Sequence, residues 1–201
     1  MVICDRKWLI GIDEAGRGPL AGPVAVGVVC VPRDFDWLMI DGVADSKSLS
    51  ETKRERLYKV ANVLISSGAI EAKVSLVSAS MIDKNGITKA VESAMQRALR
   101  RLSAYPKECE VLLDGSLKAP AIYDYQRTII KGDVTEPVIG LASIMAKVRR
   151  DRYMERIAAL PQFAPYEFAI HKGYGTKKHR EIIKKHGLSA MHRRSFCRNL
   201  L

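Results

Sequence analysis

Residues 8–29 read WLIGIDEAGRGPLAGPVAVGVV, and this stretch sets the reading of the rest of the chain. Its two apolar runs, rich in β-branched residues, are separated by a Gly/Pro-rich segment, which predicts two neighbouring buried strands in a hairpin-like pair. The first run ends on two adjacent acids, Asp13 and Glu14, followed by Arg17 between Gly16 and Gly18. Buried strands do not ordinarily finish on paired carboxylates, because burying a charge is costly unless something neutralises it.

Outward from this pair, Ser50 is placed to cap a helix running to about Ser66, with Leu57, Val60 and Leu64 on one face and Gly68 near its end. AIEAKVSLV (69–77) predicts a further strand. After Gly86, the residues Ile87, Val91, Ala94, Met95, Ala98 and Leu102 recur at helical spacing, and CEVLLDG (109–115) follows as a short buried strand. RTIIKGD (127–133) predicts a fifth strand, a long helix spans about 136–160, and a last helix runs from after Thr176 to before Gly187. Strands first, then strands alternating with helices, predict a mixed α/β sheet with a helical C-terminal extension.

Three apolar runs end in acid: LIGI in Asp13 and Glu14, VLL in Asp114, and TIIKG in Asp133. If those ends are neighbours in one sheet, four carboxylates meet at its edge. Two unit negative charges about 4 Å apart repel by roughly 4 kcal/mol at an effective dielectric near 20, so the group requires protons or cations. Hard oxygen ligands favour Mg²⁺ or Mn²⁺, and paired ions of this kind cleave phosphodiesters. Adjacent side chains on a regular strand point to opposite faces, so Asp13 and Glu14 share one ion only if the chain bends there, and the nearby glycines would permit that bend. Read singly, each acid is equally a turn cap or a partner for one of the many basic residues.

The segment GRGPLAG (16–22) fits neither a P-loop nor a dinucleotide-binding turn, since the residues after it read as strand. Its backbone N–H groups and Arg17 could still meet a nucleic-acid backbone closely, a tight turn being the simpler reading. The net charge of +11 is regional: 14 Lys/Arg against 4 Asp/Glu from Lys147 onward, and 19 against 18 before it. That is either a polyanion footprint or a solvated helical face.

At 201 residues, one domain is expected over 1–201, with about 161–201 as the basic helical extension. Cys4, Cys30, Cys109 and Cys197 lack zinc-like spacing and read as reduced, mostly buried thiols. The histidines, His171, His179, His186 and His192, read as surface or structural, His171 being the one nearest a site. No secretory signal or membrane-spanning run is present, so a cytoplasmic location and no membrane partner are expected.

Taken in order, GIDEAGRGPLAGPV (11–24), DSKSLS (45–50), LLDG (112–115), KGD (131–133), ASIMAKVRRD (142–151) and HKGYGTKKH…HRRSF (171–179 and 192–196) resemble ribonuclease HII, the bacterial type 2 ribonuclease H. The resemblance covers nearly the whole chain. It implies a ribonuclease H-like fold, a mixed five-stranded sheet flanked by helices. It further implies hydrolysis of the RNA strand of RNA–DNA hybrids and nicking 5′ of single ribonucleotides in duplex DNA, in ribonucleotide excision repair and RNA primer removal. By resemblance, Asp13, Glu14, Asp114 and Asp133 are the catalytic acids holding two Mn²⁺ or Mg²⁺ ions, and the products carry a 3′-hydroxyl and a 5′-phosphate. Gly16, Arg17 and Gly18 would read the ribose 2′-hydroxyl and Tyr174 would stack on the next sugar. Lys47, Lys147 and Ser143 are candidate substrate contacts.

Gly140 and Leu141 depart from the small alanines usual in the family. A monomer is expected, without a sliding-clamp motif after HRRSF; the G-R-G loop and the lack of an extra N-terminal domain argue against the type 3 sister enzyme. Two other readings stand beside this one: a catalytically silent hybrid-binding protein, and a metal-independent nuclease using the 2′-hydroxyl itself, which would need no clustered carboxylates.

Overall fold

A computed structural model of the chain describes residues 6–43 and 49–200. Strands β1 (Trp8–Ala15) and β2 (Val24–Pro32) pair antiparallel, as their sequence predicts, and β3 (Glu71–Val77) adds antiparallel to β2. Strands β4 (Cys109–Asp114) and β5 (Gln126–Ile129) join in parallel on the other side, giving a five-stranded mixed sheet in the order β3-β2-β1-β4-β5.

Helices cover both faces, which is why β1 and β2 read as nearly continuous apolar runs. On one face, Ile10, Ile12, Val26 and Val28 pack with Val91, Ala94 and Met95 of α3 (Ile87–Leu99), which follows the short α2 (Ala79–Asn85). On the other, Val29, Val31 and Leu112 pack beneath α1 (Glu51–Ser66) and the long α5 (Pro137–Ala158). Ser50 caps α1 as expected, accepting from the Lys53 N–H at 3.3 Å.

Helix α5 approaches the sheet unusually closely, and two strand glycines allow it. A Cβ at Gly11 would lie 2.3 Å from the Val138 carbonyl oxygen, and one at Gly27 would lie 2.2 Å from that of Ala142. Gly140, flagged above as a departure, works in the same way: its missing Cβ leaves room for the Val43 carbonyl oxygen, which would be 2.5 Å away. Leu141 is fully buried in the core shared with α1.

The fifth strand is shorter than expected. It ends at Ile129, Lys131 takes a left-handed conformation (φ 56°), and residues 132–135 close a helical turn, α4 (Gly132–Thr135). Asp133 therefore sits on a helical turn and not at a strand end. Gly132 permits this because a Cβ there would fall 2.6 Å from Cδ1 of Ile139.

Beyond α5, the helices α6 (Phe168–His171) and α7 (Lys177–His186) and the residues after them fold back against the β1–β2 connection. The N–H groups of Leu20 and Ala21 donate to the Gly173 carbonyl, the Gly22 N–H donates to that of Met191, and Ala21 bridges to His192. Cys30, Cys109 and Cys197 are free and buried. No helix among the described residues is long and apolar enough to cross a membrane.

Candidate active site

The register of the sheet builds the site. Parallel pairing of β1 with β4 sets Ile12 opposite Leu113, so the next residues, Asp13 and Asp114, stand level on neighbouring strands, whose spacing is about 4.8 Å. Both open on a cleft of about 350 Å³ that is also lined by Glu14, Gly16, Ser143 and Lys147, with Arg54 and Tyr174. The bend expected between Asp13 and Glu14 is absent: antiparallel pairing continues through Asp13–Gly27, Glu14–Val26 and Ala15–Ala25, and the chain turns at Gly16 (φ 86°). The ladder hydrogen bonds favour a regular strand, so the two acids keep the alternation of their neighbours.

Asp13 is buried, 4% exposed, and shares the face of Gly11 beneath α5. The close approach of that helix brings Ser143 within hydrogen-bonding reach of the Asp13 carboxylate, which also accepts from the Glu14 N–H at 2.7 Å. Burial pushes the Asp13 carboxyl up to about 7; Glu14 and Asp114 add repulsion, against the lowering effect of the Ser143 and Glu14 hydrogen bonds. Glu14 accepts from Arg17 at 3.1 Å, and Asp114 accepts from the Gly132 N–H at 2.8 Å. That last bond ties α4, and with it the buried Asp133, to the end of β4. Asp133 does not line the cleft itself. Among the described residues no group of three or more Asp, Glu, His or Cys is already drawn together tightly enough to hold an ion. The donors are hard oxygens on separate elements, chemically suited to Mg²⁺ or Mn²⁺.

Lys147 donates to Asp151 at 2.9 Å, and its Nζ lies 5.5 Å from the centre of the Tyr174 ring. The Arg150 guanidinium lies 5.5 Å from the same ring, so two cations attend one half-exposed aromatic at the rim of the cleft. Arg17, whose side chain bonds Glu14, lines a second cavity of about 270 Å³ together with Ser116 and Lys118. Gly18 is exposed on the same loop. Lys47 lies outside the described residues.

Sequence reading passed over Arg54, one of several basic residues in ETKRER, because nothing in that run distinguishes the member that faces the cleft. It also passed over the burial of three histidines. His171 and His179 stack with ring centres 4.0 Å apart, and His179 Nε2 lies 3.0 Å from His192 Nε2. The bonds admit one neutral arrangement: His192 Nδ1 accepts from the Ser189 N–H, so its Nε2 donates to His179, whose Nδ1 donates to the Tyr174 carbonyl. Burial depresses both His179 and His192 to about 4. The cluster thus fixes the backbone that carries Tyr174.

Comparison with known proteins shows the family of the chain. The family model for Ribonuclease HII matches residues 10–199. The Ribonuclease HII of Endomicrobium trichonymphae is 46% identical over 186 residues, 92% of this chain and 83% of that protein. That of Acetivibrio thermocellus is 42% identical over 195 residues, 97% of this chain and 72% of that protein. Among solved structures, the RNase HII of Archaeoglobus fulgidus, determined in complex with PCNA, superposes with a TM-score of 0.72 at 26% identity, covering 92% of this chain and 93% of that one. With a family match over almost its whole length and the expected sheet beneath it, the chain belongs to the ribonuclease HII family of endoribonucleases.

Proposed function

We propose that this ribonuclease H hydrolyses the RNA strand of RNA–DNA hybrids and nicks duplex DNA on the 5′ side of a single embedded ribonucleotide, leaving a 3′-hydroxyl and a 5′-phosphate. The observation that carries the reading is the convergence of Asp13, Glu14 and Asp114 on one cleft whose rim is formed by the Gly16 turn and Tyr174. Burial, with repulsion from Glu14 and Asp114 added to it, raises the Asp13 carboxyl to about 7, so the fully ionised site is short of positive charge. Asp13, Glu14, Asp114 and Asp133 are the residues that would hold two divalent ions, all four offering hard carboxylate oxygens. Such ions, when bound, supply the charge that activates water for in-line attack and stabilises the leaving 3′-oxygen.

The chain's own residues do the rest. Ser143 orients the Asp13 carboxylate from α5. Lys147 and Arg54 line the cleft where a phosphate would lie, and Lys47 is a further candidate for that contact. Gly16, Arg17 and Gly18 meet the ribose 2′-hydroxyl, which identifies RNA and is not the nucleophile, while the Tyr174 ring stacks on the following sugar. Removal of misincorporated ribonucleotides and of RNA primers is the cellular role that this chemistry serves.

The test is cleavage of a labelled DNA duplex bearing one ribonucleotide, alongside a long RNA–DNA hybrid, with Mg²⁺, Mn²⁺ or EDTA. The reading expects a single nick 5′ of the ribonucleotide that depends on added metal. Equal cleavage in EDTA rejects the metal mechanism, and cleavage of the long hybrid alone rejects the single-ribonucleotide specificity.

A further inference from the structure

Two arginines in the basic C-terminal third are not surface charges at all. Arg150 and Arg193 are both 0% exposed, and both point their guanidinium groups into the connection between β1 and β2. Arg193 donates from Nη2 to the Gly16 carbonyl at 2.7 Å, from Nη1 to the Arg17 carbonyl at 2.9 Å, and from Nε to the Gly22 carbonyl at 3.0 Å. Its own N–H donates to the Leu20 carbonyl at 2.8 Å. Arg150 takes the far end of the loop, donating to Pro23 at 2.9 Å and Ala21 at 3.2 Å. The turn is seated directly on these groups: a Cβ on Gly16 would fall 2.0 Å from Arg150 Nε.

The fork has a stereochemical consequence. In a trans peptide the C=O of one residue and the N–H of the next point in opposite directions. Arg193 holds the carbonyls of Gly16 and Arg17 inward, so the N–H groups of Arg17 and Gly18 point away from it, and neither has a hydrogen-bond partner among the described residues. Two successive outward N–H groups form an acceptor-binding concavity of the kind that meets hydroxyl or phosphate oxygens. A planar guanidinium with its donors in a rigid fork can fix two adjacent peptides at once, whereas a lysine ammonium is a point charge on a flexible stem.

We propose that Arg193 is a positioning residue for ribose discrimination, acting through the Gly16–Arg17 and Arg17–Gly18 peptides that it orients from behind. The proposal rests on the reading above that this loop meets the ribose 2′-hydroxyl. Arg193 is fully buried and does not line the cleft. It sets the angle at which the loop meets the sugar, and it lies more than 170 residues from that loop in the sequence.

The test compares dissociation constants, in EDTA, for two DNA duplexes that differ by one ribonucleotide, using full-length wild type and the variants Arg193→Lys, Arg193→Gln and Asp83→Asn. Asp83 anchors the same C-terminal segment by accepting from the N–H groups of Arg194 and Ser195 at 2.8 and 3.0 Å, without contact to the loop. Both Arg193 variants should lower the deoxy-to-ribo ratio of constants by about tenfold or more, since discrimination by hydroxyl recognition depends on exact placement of the partner group. Asp83→Asn should lower the melting temperature and keep the wild-type ratio. A wild-type ratio retained by Arg193→Lys overturns the proposal, because charge alone would then suffice. An equal loss in Asp83→Asn overturns it too, because loosening of the segment would then explain the effect. A ratio of one in the wild type defeats the underlying reading of the loop, a result distinct from either. Should the Arg193 variants fail to fold, amide exchange in the wild type decides. The Arg17 and Gly18 amides should exchange rapidly in the free protein and slow on binding the ribonucleotide duplex but not the all-DNA one. Protection of both in the free protein would overturn the assignment.

Discussion

Gly27 on β2 and Ala142 on α5 are packed so closely that a Cβ on the glycine would lie 2.2 Å from the Ala142 carbonyl oxygen. Asp13 pairs with Gly27 across the β1–β2 ladder, and Ser143, which follows Ala142, comes within reach of the Asp13 carboxylate. One backbone approach thus sets both the packing of the longest helix and the position of a side chain at the active site. Gly27→Ala should destabilise the fold by about 1–3 kcal/mol, the usual cost of overpacking. It should also lower the cleavage rate of the protein that remains folded. Denaturant unfolding with parallel cleavage assays checks this, and unchanged stability would show that α5 is free to move outward.

Asp13→Asn removes the carboxylate that burial and its acidic neighbours hold protonated up to about pH 7. Cleavage should fall by more than the roughly hundredfold lost with an outer-sphere partner of a metal ligand, while duplex binding persists. Stability should move the other way. In the unfolded chain this carboxyl ionises near 3.8 and in the folded protein near 7, so wild-type stability declines as pH rises between those values. In EDTA at pH 8 the variant should therefore melt above wild type, and the gap should close towards pH 4. Melting curves across that range, read beside activity, give both halves of the prediction.

The buried histidines predict acid sensitivity of opposite sign. His179 and His192 are lowered from 6.5 to about 4 by burial, so the unfolded chain takes up protons that the folded protein refuses. The stability they contribute is complete above about pH 6.5 and is lost as pH falls towards 4. His192→Gln should flatten that part of the curve. Urea midpoints measured at half-unit steps of pH would reveal it, and an unaltered slope would mean that other groups carry the acid transition.

Duplex affinity should fall steeply with salt, because each phosphate contact releases counterions. The exposed face of α7, with Lys177, Arg180 and Lys184, is placed to contribute. Lys184→Ala should reduce the salt slope by about one and weaken ribonucleotide-bearing and all-DNA duplexes alike. Fluorescence anisotropy titrations at several salt concentrations test both statements; selective loss for one duplex would contradict a phosphate role.

Much of the molecule is legible in residue order. The apolar runs of β1, β2 and β4 are unbroken because both faces of the sheet are covered, and Ser50 and Thr176 mark the starts of α1 and α7 through caps that the structure retains. The acids at 13, 14 and 114 stand out because charge at the end of a buried strand is costly wherever the strand goes. Asp133 was legible as a residue but not as a position, since the left-handed Lys131 that ends β5 early leaves no mark in the pattern of RTIIKGD.

What only the tertiary structure decided concerns partners far apart in the chain. Composition alone makes Arg150 and Arg193 part of a basic patch, yet both are buried against carbonyls near residues 16–23; His171, His179 and His192 of the same region likewise pack inward, while His186 stays exposed. Local sequence determined which segments become strands and helices, because periodicity and capping act over a few residues. Which guanidinium finds which carbonyl, and which helix rests on a bare glycine, depends on contacts that exist only once the sheet and α5 have met.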